Sequence, residues 1–551
     1  MYFAHDPDRD FFYCGETEPH SKLYQELVNS NPKLIAVDTE TISLKERIAI
    51  GVGIAFTPQD SLYFPLFPNP SPVIPWHLLQ DPNITKVFHN ALFDLACMRE
   101  YDIDNINIKD TSVMAHLLCL PDARLATLAQ LVDMEVHMVQ EFLGHGQIML
   151  DLDKPTVARK CCQDCLATLA LYHHFLPEID IPYFNMEMEL IPILITMSEQ
   201  GLLIDQEARG KLEEKLELEV EYYIGLCDGE GFNPGSPQQV GYILAKRGAY
   251  SVFNRLPFSR SRKNLATEEG ILNKMDDPMA AIVLSYREKS YLLSHYIKPW
   301  AKEDRAYTRF HLDAITGRPS STHRNLQNIP TGEPRGIFIP DSGIWTDTDF
   351  SQVELRILAH LSGDKEMQYI FSLPRFNPDG SSNKEADIHH QTADFMNIER
   401  RLAKNVGFAM IYGATDATIA ETAKIRSISR AKQLKEMWFA QYREAGDWIQ
   451  SIQLEALGHP YAKTLFGRNI RLPTIEEEDA GGIMRKAVNY PIQGSAAEIL
   501  KRALIMCKGL PMSLQVHDEI LYDGRVELPN GLEHIAPFHT PISVKYLRRW
   551  E

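Results

Sequence analysis

The sequence predicts a multidomain protein of mixed α/β and α+β class, and three observations carry that prediction. With 551 residues the chain is too long for one hydrophobic core, so roughly two to four domains are expected. Two apolar runs near the start, LIAVDTE (34–40) and IAIGVGIAF (48–56), read as strands. From about residue 186 the apolar spacing turns helical, and beyond about residue 300 strands and helices alternate.

The elements follow in order. Residues 1–19 read as a short acidic lead-in. Leu125 to about Ile179 is expected to be largely helical, and Pro177 and Pro182 mark a domain boundary near 180–185. MEMELIPILITMSEQGLLID (186–205) then begins a helical unit reaching about residue 300. A basic loop interrupts it between Lys246 and Lys263, with Arg247, Arg255, Arg260 and Arg262, suited either to phosphate contacts or to a solvated surface.

Composition narrows the function classes. Apolar content of 44% and charged content of 24% fit a globular chain. No stretch approaches a bilayer span and MYFAHDPDRDFFY lacks a secretion signal, so a cytoplasmic location without membrane contact is expected. The eight cysteines show no paired metal-ligand spacing, and Cys161, Cys162 and Cys165 read as reduced, buried thiols. A net charge of −18 argues against unspecific coating of nucleic acid but leaves room for a local basic groove.

The most informative segment is RRLAKNVGFAMIYG (400–413). Arg400, Lys404, Phe408 and Tyr412 are spaced by four and share one stripe of a helix. Two cations can grip a polyphosphate and the rings beyond can stack on a base. Two acidic sites accompany the stripe. Asp349 sits at the end of a strand in WTDTDFSQVELRILAHLSGD (345–364), and Asp518 and Glu519 sit near the tip of a hydrophobic hairpin in SLQVHDEILYD (513–523). Carboxylates brought together by the fold can hold two hard divalent ions for an in-line phosphoryl displacement.

RRLAKNVGFAMIYG, DFSQVELR (349–356) and QVHDE (515–519) resemble, in this order, the three motifs of family A DNA polymerases, the bacterial DNA polymerase I type. TGRPSSTHRNLQNIP (316–330), DIHHQTA (387–393), TLFGRNIRLP (464–473) and RKAVNYPIQGSAAE (485–498) agree with that resemblance, which covers about residues 186–551. It implies a right-hand architecture: thumb with the start of the palm over 183–310, palm over 311–364, fingers over 365–485 and the rest of the palm over 486–551. It also implies roles. Asp349 and Asp518 are the metal-binding carboxylates, with Glu519 a lesser helper. Arg400 and Lys404 hold the phosphates, and Lys404 is a proton donor to pyrophosphate. Phe408 discriminates against dideoxynucleotides. Glu354, with Tyr412, excludes a ribose 2′-hydroxyl, and Gln352 joins the nucleotide site. Arg318, Asn325, Gln327, Arg485, Asn489, Gln493 and His517 contact primer-template DNA.

The N-terminal third carries a separate set of acids. Asp38 and Glu40 are two apart on a strand and face the same way. Asp94 follows in HNALFD (89–94), and Asp164 in CCQDCLATLAL (161–171). Together they resemble the DEDD 3′–5′ exonuclease domain, of ribonuclease H-like fold, over residues 20–182, and the four acids are its implied metal ligands. One position departs from the pattern: Lys160 stands where a water-orienting tyrosine is usual. Either Lys160 substitutes for it, another group takes the role, or the activity is weak; an active but reduced exonuclease is expected.

The resemblance thus implies a DNA-templated DNA polymerase with a proofreading exonuclease, using Mg²⁺, two ions at each site, with Mn²⁺ an alternative. The competing expectation is an exonuclease with an inactive, polymerase-like DNA-binding scaffold. Primer-template DNA and deoxynucleoside triphosphates are the expected partners, a helicase, primase or single-strand-binding protein are candidates, and a monomer is expected. Because the chain begins almost at the exonuclease motifs, a bacteriophage-like enzyme is expected, in a bacterial or phage-infected cytoplasm.

Overall fold

The computed structural model describes residues 2–551 apart from 7–10, 16–19, 44–46, 102–106, 254, 260–262, 424 and 426; Arg260 and Arg262 of the basic loop therefore lie outside the described residues. The N-terminal part is built on a seven-stranded sheet in the order Tyr2–Asp6, Phe11–Gly15, Ser61–Pro65, Ala49–Ala55, Leu34–Thr41, Thr85–Phe88, Asn107–Asp110. The first five strands are antiparallel neighbours, and the last two run parallel to Leu34–Thr41. Ala49–Ala55 is buried at every position, which is why it reads as an unbroken apolar run. Helix Lys154–Phe175 covers Leu34–Thr41, Ala49–Ala55 and Ser61–Pro65.

One expectation is corrected here. Residues 2–6 and 11–15 are no lead-in: they form a hairpin that extends the sheet at one edge. Short edge strands interrupted by DPDRD give little periodic signal. Leu125–Ile179 is largely helical, as expected, but in pieces: short segments, Leu125–Leu128, Ala129–Val132, Val139–Phe142 and Met149–Asp151, precede the long helix Lys154–Phe175. Asp133 takes a left-handed conformation (φ 55°) and ends the early turns. Asp153 then restarts the chain as a cap, accepting a hydrogen bond from the Thr156 amide at 2.7 Å.

Helix Ile181–Gln200 opens at the expected boundary. Asp180 caps it, Pro182 occupies its first turn, and Gly201 at φ 58° ends it. This helix packs on both parts of the molecule: against the N-terminal helices Ala91–Cys97 and Thr111–Leu117, and against helix Ala480–Met506 and strand Met512–Val516. Its Leu190, Ile191 and Leu194 belong to one buried cluster that runs from Leu23 to Trp550. A smaller core, with Phe232, Val240, Leu244, Tyr250 and Val283, forms separately within 227–284. The C-terminal sheet orders Met512–Val516, Glu519–Asp523, Trp345–Phe350 and Ile542–Leu547, all antiparallel. Helix Ala480–Met506 runs unbroken through the expected 485/486 division, and strand Arg309–His311 spans the one at 310/311. Helices Ile388–Met396, Arg400–Ile411 and Ile428–Gln441 pack on one another beside this sheet.

One charged contact ties the central helix to the long one. Lys501 donates to both carboxylate oxygens of Glu187 at 2.6 and 2.8 Å, with side-chain exposures of 3% and 4%. Breaking such a pair from one side leaves a buried charge without its partner. Glu187→Gln should therefore lower stability by about 3–5 kcal/mol, read as a lower denaturant midpoint. The double change Glu187→Met with Lys501→Met should cost far less; an equal loss in both variants would refute this account.

Candidate active sites

The C-terminal site forms where strand Trp345–Phe350 meets the hairpin Met512–Val516/Glu519–Asp523. The Phe350 amide donates to the Asp518 carbonyl at 3.2 Å, and His517 turns the hairpin in a left-handed conformation (φ 53°). This brings Asp349 and Asp518 to one wall of a cleft of about 630 Å³. Burial and then the neighbouring Asp349 push the Asp518 carboxyl up to about 7. Asp349 is raised by burial and then by Glu519. Two half-buried carboxylates that resist ionising side by side, with oxygen as the only donor, suit a hard divalent cation.

The cleft also gathers Arg318, Gln352, Glu354, Arg400, Lys404, Phe408, Tyr412 and His517, all singled out in the sequence. Helix Arg400–Ile411 presents the stripe as its spacing requires, with Tyr412 as the residue that ends it. Arg400 is held by Asp387 at 2.7–2.8 Å, and Lys404 lies 5.7 Å from the centre of the Phe408 ring. Gln352 takes a left-handed turn (φ 55°) that starts helix Val353–Ser362 and places Glu354 in its first turn. Glu354 pairs with Arg318. The Tyr412 hydroxyl is raised by burial and then by Glu354, with Gln493 and Arg318 as hydrogen-bonding neighbours.

Arg485, Asn489 and Gln493 form a second four-residue stripe on helix Ala480–Met506. The Asn489 side-chain nitrogen is buried without a hydrogen-bond partner among the described residues. Two polar residues expected at DNA are engaged inside the protein. Gln327 is buried and its amide nitrogen donates to Pro319 O and Gln515 Oε1, each at 3.0 Å. Asn325 accepts from the Ser321 hydroxyl at 2.8 Å. Glu519 is engaged too: its oxygens accept from Arg335 at 3.0 Å and from the Trp550 indole at 2.7 Å, so it is drawn aside from Asp518.

Sequence reasoning missed several members of this site. Arg375, Asp387 and His389 line the cleft, and Arg375 comes from a loop without periodicity. Arg356 is a brace: its guanidinium donates to Ser351 O at 3.1 Å and stacks on Phe371, which fixes the turn beside Asp349. Asp347, two residues before Asp349 on the same strand face, is buried, raised to about 7 by burial and by Glu519, and keeps one oxygen without a partner among the described residues.

The N-terminal site lies on the sheet under helix Lys154–Phe175. Strand Leu34–Thr41 contributes Asp38 and Glu40, helix Ala91–Cys97 contributes Asp94, and helix Lys154–Phe175 contributes Asp164. Asp94 accepts from the Thr39 amide at 3.0 Å and the Thr39 hydroxyl at 2.7 Å, yet burial still pushes it up to about 7. Asp38 is raised well above the usual range by burial, Asp164 and Asp94. Atoms of Asp38, Glu40 and Cys161 lie within 4.8 Å of one another, close enough to share a metal ion. Lys160 projects into this cluster and donates to Glu40 at 2.8 Å and to Asp164 at 2.7 Å. Beside it opens a groove of about 540 Å³, closed on its far side by His311, Leu312 and Asp313. A further buried acid, Asp110, is fully used in capping helix Thr111–Leu117 and holding the Ala91 amide.

No helix among the described residues is long and apolar enough to cross a membrane. The family model for DNA polymerase family A matches residues 205–533, and that for a 3′–5′ exonuclease matches residues 17–180. DNA polymerase I of Synechocystis is 27% identical over 91% of this chain and 57% of its own length. DNA polymerase I of Pseudomonas aeruginosa is 29% identical over 90% of this chain and 60% of its own length. The chain thus spans a little over half of these curated relatives. The polymerase domain of Pol1 from M. smegmatis, solved in complex with DNA primer-template and dNTP, superposes with a TM-score of 0.77 at 24% identity, covering 97% of this chain and 98% of that one. Fold, motif order and family match all agree: the chain belongs to DNA polymerase family A and carries a 3′–5′ exonuclease domain on the N-terminal side of its polymerase domain.

Proposed function

We propose that the protein extends a DNA primer on a DNA template with deoxynucleoside triphosphates, and that its N-terminal domain removes mispaired 3′ ends. One observation carries this reading: a single cleft unites the carboxylates of Asp349 and Asp518 with the cations of Arg400 and Lys404 and the rings of Phe408 and Tyr412. The M. smegmatis polymerase domain, solved in complex with DNA primer-template and dNTP, supports DNA and nucleotide as the ligands.

Each group has a task that follows from its chemistry. Arg400 releases Asp387 and, with Lys404, takes the β- and γ-phosphates; both are charge-assisted contacts that a triphosphate satisfies better than water does. Lys404 is the nearest proton source for departing pyrophosphate. Phe408 offers its face to the base, and Glu354 with Tyr412 closes the space beside the sugar 2′ position. Arg318 and the Arg485–Asn489–Gln493 stripe follow the primer-template, where minor-groove contacts depend little on sequence. Asp349 and Asp518 fit divalent metal ions, Mg²⁺ above all, which when bound activate the primer 3′-hydroxyl and neutralise the leaving group. Asp38, Glu40, Asp94 and Asp164 form the corresponding acid set for hydrolysis.

His389 keeps the nucleotide pocket from gaining a further charge. It packs 5.9 Å from the Phe408 ring, and burial pushes its imidazole down to about 4; Asp387 works the other way, while Arg400 and Lys404 add to the fall. The imidazole is therefore neutral at pH 7.

Primer extension on a longer template tests the main reading: Asp518→Asn should reduce it by roughly 10³-fold or more, since it removes metal-held charge worth several kcal/mol. Full activity in a folded Asp518→Asn protein would sink it. His389 gives a pH prediction. An unfolded histidine titrates near 6.5, so between about 6.5 and 4 the unfolded chain binds more protons than the native one, and stability falls as pH drops. Thermal or denaturant unfolding should show up to about 3 kcal/mol of this loss removed in His389→Gln. Identical pH profiles for both proteins would contradict it.

A further inference from the structure

Lys160 is the residue that the exonuclease reading leaves without a task. It is buried and sits one helical turn before Asp164, so both side chains point at the same stretch of sheet. Its ammonium lies 2.8 Å from Glu40 Oε1 and 2.7 Å from Asp164 Oδ2, joining an acid of the strand to an acid of the helix. A divalent ion shared between those two carboxylates would need the same space. Both contacts are buried, with side-chain exposures of 10% for Lys160, 5% for Glu40 and 9% for Asp164, so water does not compete for the ammonium.

What the ammonium leaves untouched is also informative. Asp164 is 6% exposed, and its Oδ1 is buried without a hydrogen-bond partner among the described residues. A buried carboxylate oxygen left without a protein partner is free to act as a ligand. On the other side, Asp38 and Glu40 keep oxygens within 4.8 Å of each other. Four clustered carboxylates could balance two divalent ions. With one position already taken by a fixed positive charge, a second divalent ion would enter an overfilled site against like-charge repulsion.

We propose that Lys160 is a built-in cation of the exonuclease site: it occupies the position between Glu40 and Asp164, so the cluster takes one divalent ion where four free carboxylates would take two, and hydrolysis at the 3′ end is restrained. This rests on the exonuclease reading above and deepens it. Lys160 acts here as a positioning residue. It holds Glu40 and Asp164 together in the absence of metal, which explains how acids this deeply buried coexist, and it sets the balance between copying and removal toward copying.

The test counts ions. In full-length protein carrying Asp349→Asn and Asp518→Asn, which remove the polymerase-site ligands, bound Mn²⁺ is measured by electron paramagnetic resonance of the free ion. One ion is expected with Lys160 present, and two in Lys160→Met, which keeps the length and apolar stem but not the charge. Because Lys160→Met leaves the acids with no hydrogen-bond donor, Lys160→Tyr, which also removes the charge but keeps a donating hydroxyl, serves as a second variant, and unfolding temperature is followed with and without Mn²⁺. The metal-induced rise should be larger in both variants than in the parent. Equal ion counts and equal thermal shifts across the three proteins would overturn the proposal. Shortening of a labelled primer, measured with the polymerase site intact, answers the separate question. It should rise at least about tenfold in Lys160→Met. A change in ion count without any shortening would keep the built-in cation and reject the exonuclease reading instead.

Discussion

Both acid clusters of this protein depend on one electrostatic constraint: carboxylates must be held close together on an interior strand of a sheet before any cation arrives. Repulsion and desolvation act in the same direction, which is why Asp38, Asp94, Asp347 and Asp518 all hold their protons more tightly than free aspartate does. The surrounding fold resists that strain in two ways. In the N-terminal domain an ammonium stands inside the cluster. In the C-terminal domain the acids are drawn apart. Glu519 is directly opposite Asp349 in the strand register, yet Arg335 and the Trp550 indole hold its carboxylate, and the Arg335 guanidinium lies 4.2 Å from the Trp550 ring centre.

The same logic reconciles an acidic protein with the anionic ligands proposed for it. The net charge of −18 is a property of the whole chain, whereas the cleft concentrates Arg318, Arg375, Arg400 and Lys404 beside its two aspartates. Field lines in a cleft depend on what lines it, and the outer surface matters less once salt screens beyond about 8–10 Å. Several of these cations are already paired with acids, Arg400 with Asp387 and Arg318 with Glu354. The pairs store the groups in a defined geometry until a stronger anion competes for them.

How far the sequence reached depended on the range of the interaction. The stripe Arg400–Lys404–Phe408–Tyr412 was readable because a helix turns local spacing into a shared face. Asp349 and Asp518 were readable because hydrophobic strands end at them. Gln327 was not, since its partner Gln515 lies far along the chain and only the folded sheet brings the two together. Glu519 adjoins Asp518 in sequence and read as its lesser helper; that antiparallel register and the distant Trp550 give it other neighbours was not legible. Lys160 was visible as an odd residue; that its nitrogen bridges Glu40 and Asp164 required the sheet and helix to be assembled. The strand pair Tyr2–Asp6 and Phe11–Gly15 at one end of the sheet was hidden because such pairing is decided by the neighbouring strand more than by local pattern.

Gly413 sets a mechanical limit on helix Arg400–Ile411. It follows Tyr412 at φ 60°, and a Cβ there would lie 3.1 Å from the Arg485 backbone. The C-terminal end of helix Arg400–Ile411 is thereby pressed against helix Ala480–Met506 and acts as a fulcrum. Twelve residues separate that point from Arg400, a lever arm of about 18 Å at 1.5 Å per residue. A tilt of about 10° at the fulcrum would move the guanidinium end by roughly 3 Å while Tyr412 barely shifts. Any such tilt would carry the cationic end of the helix further than its aromatic end.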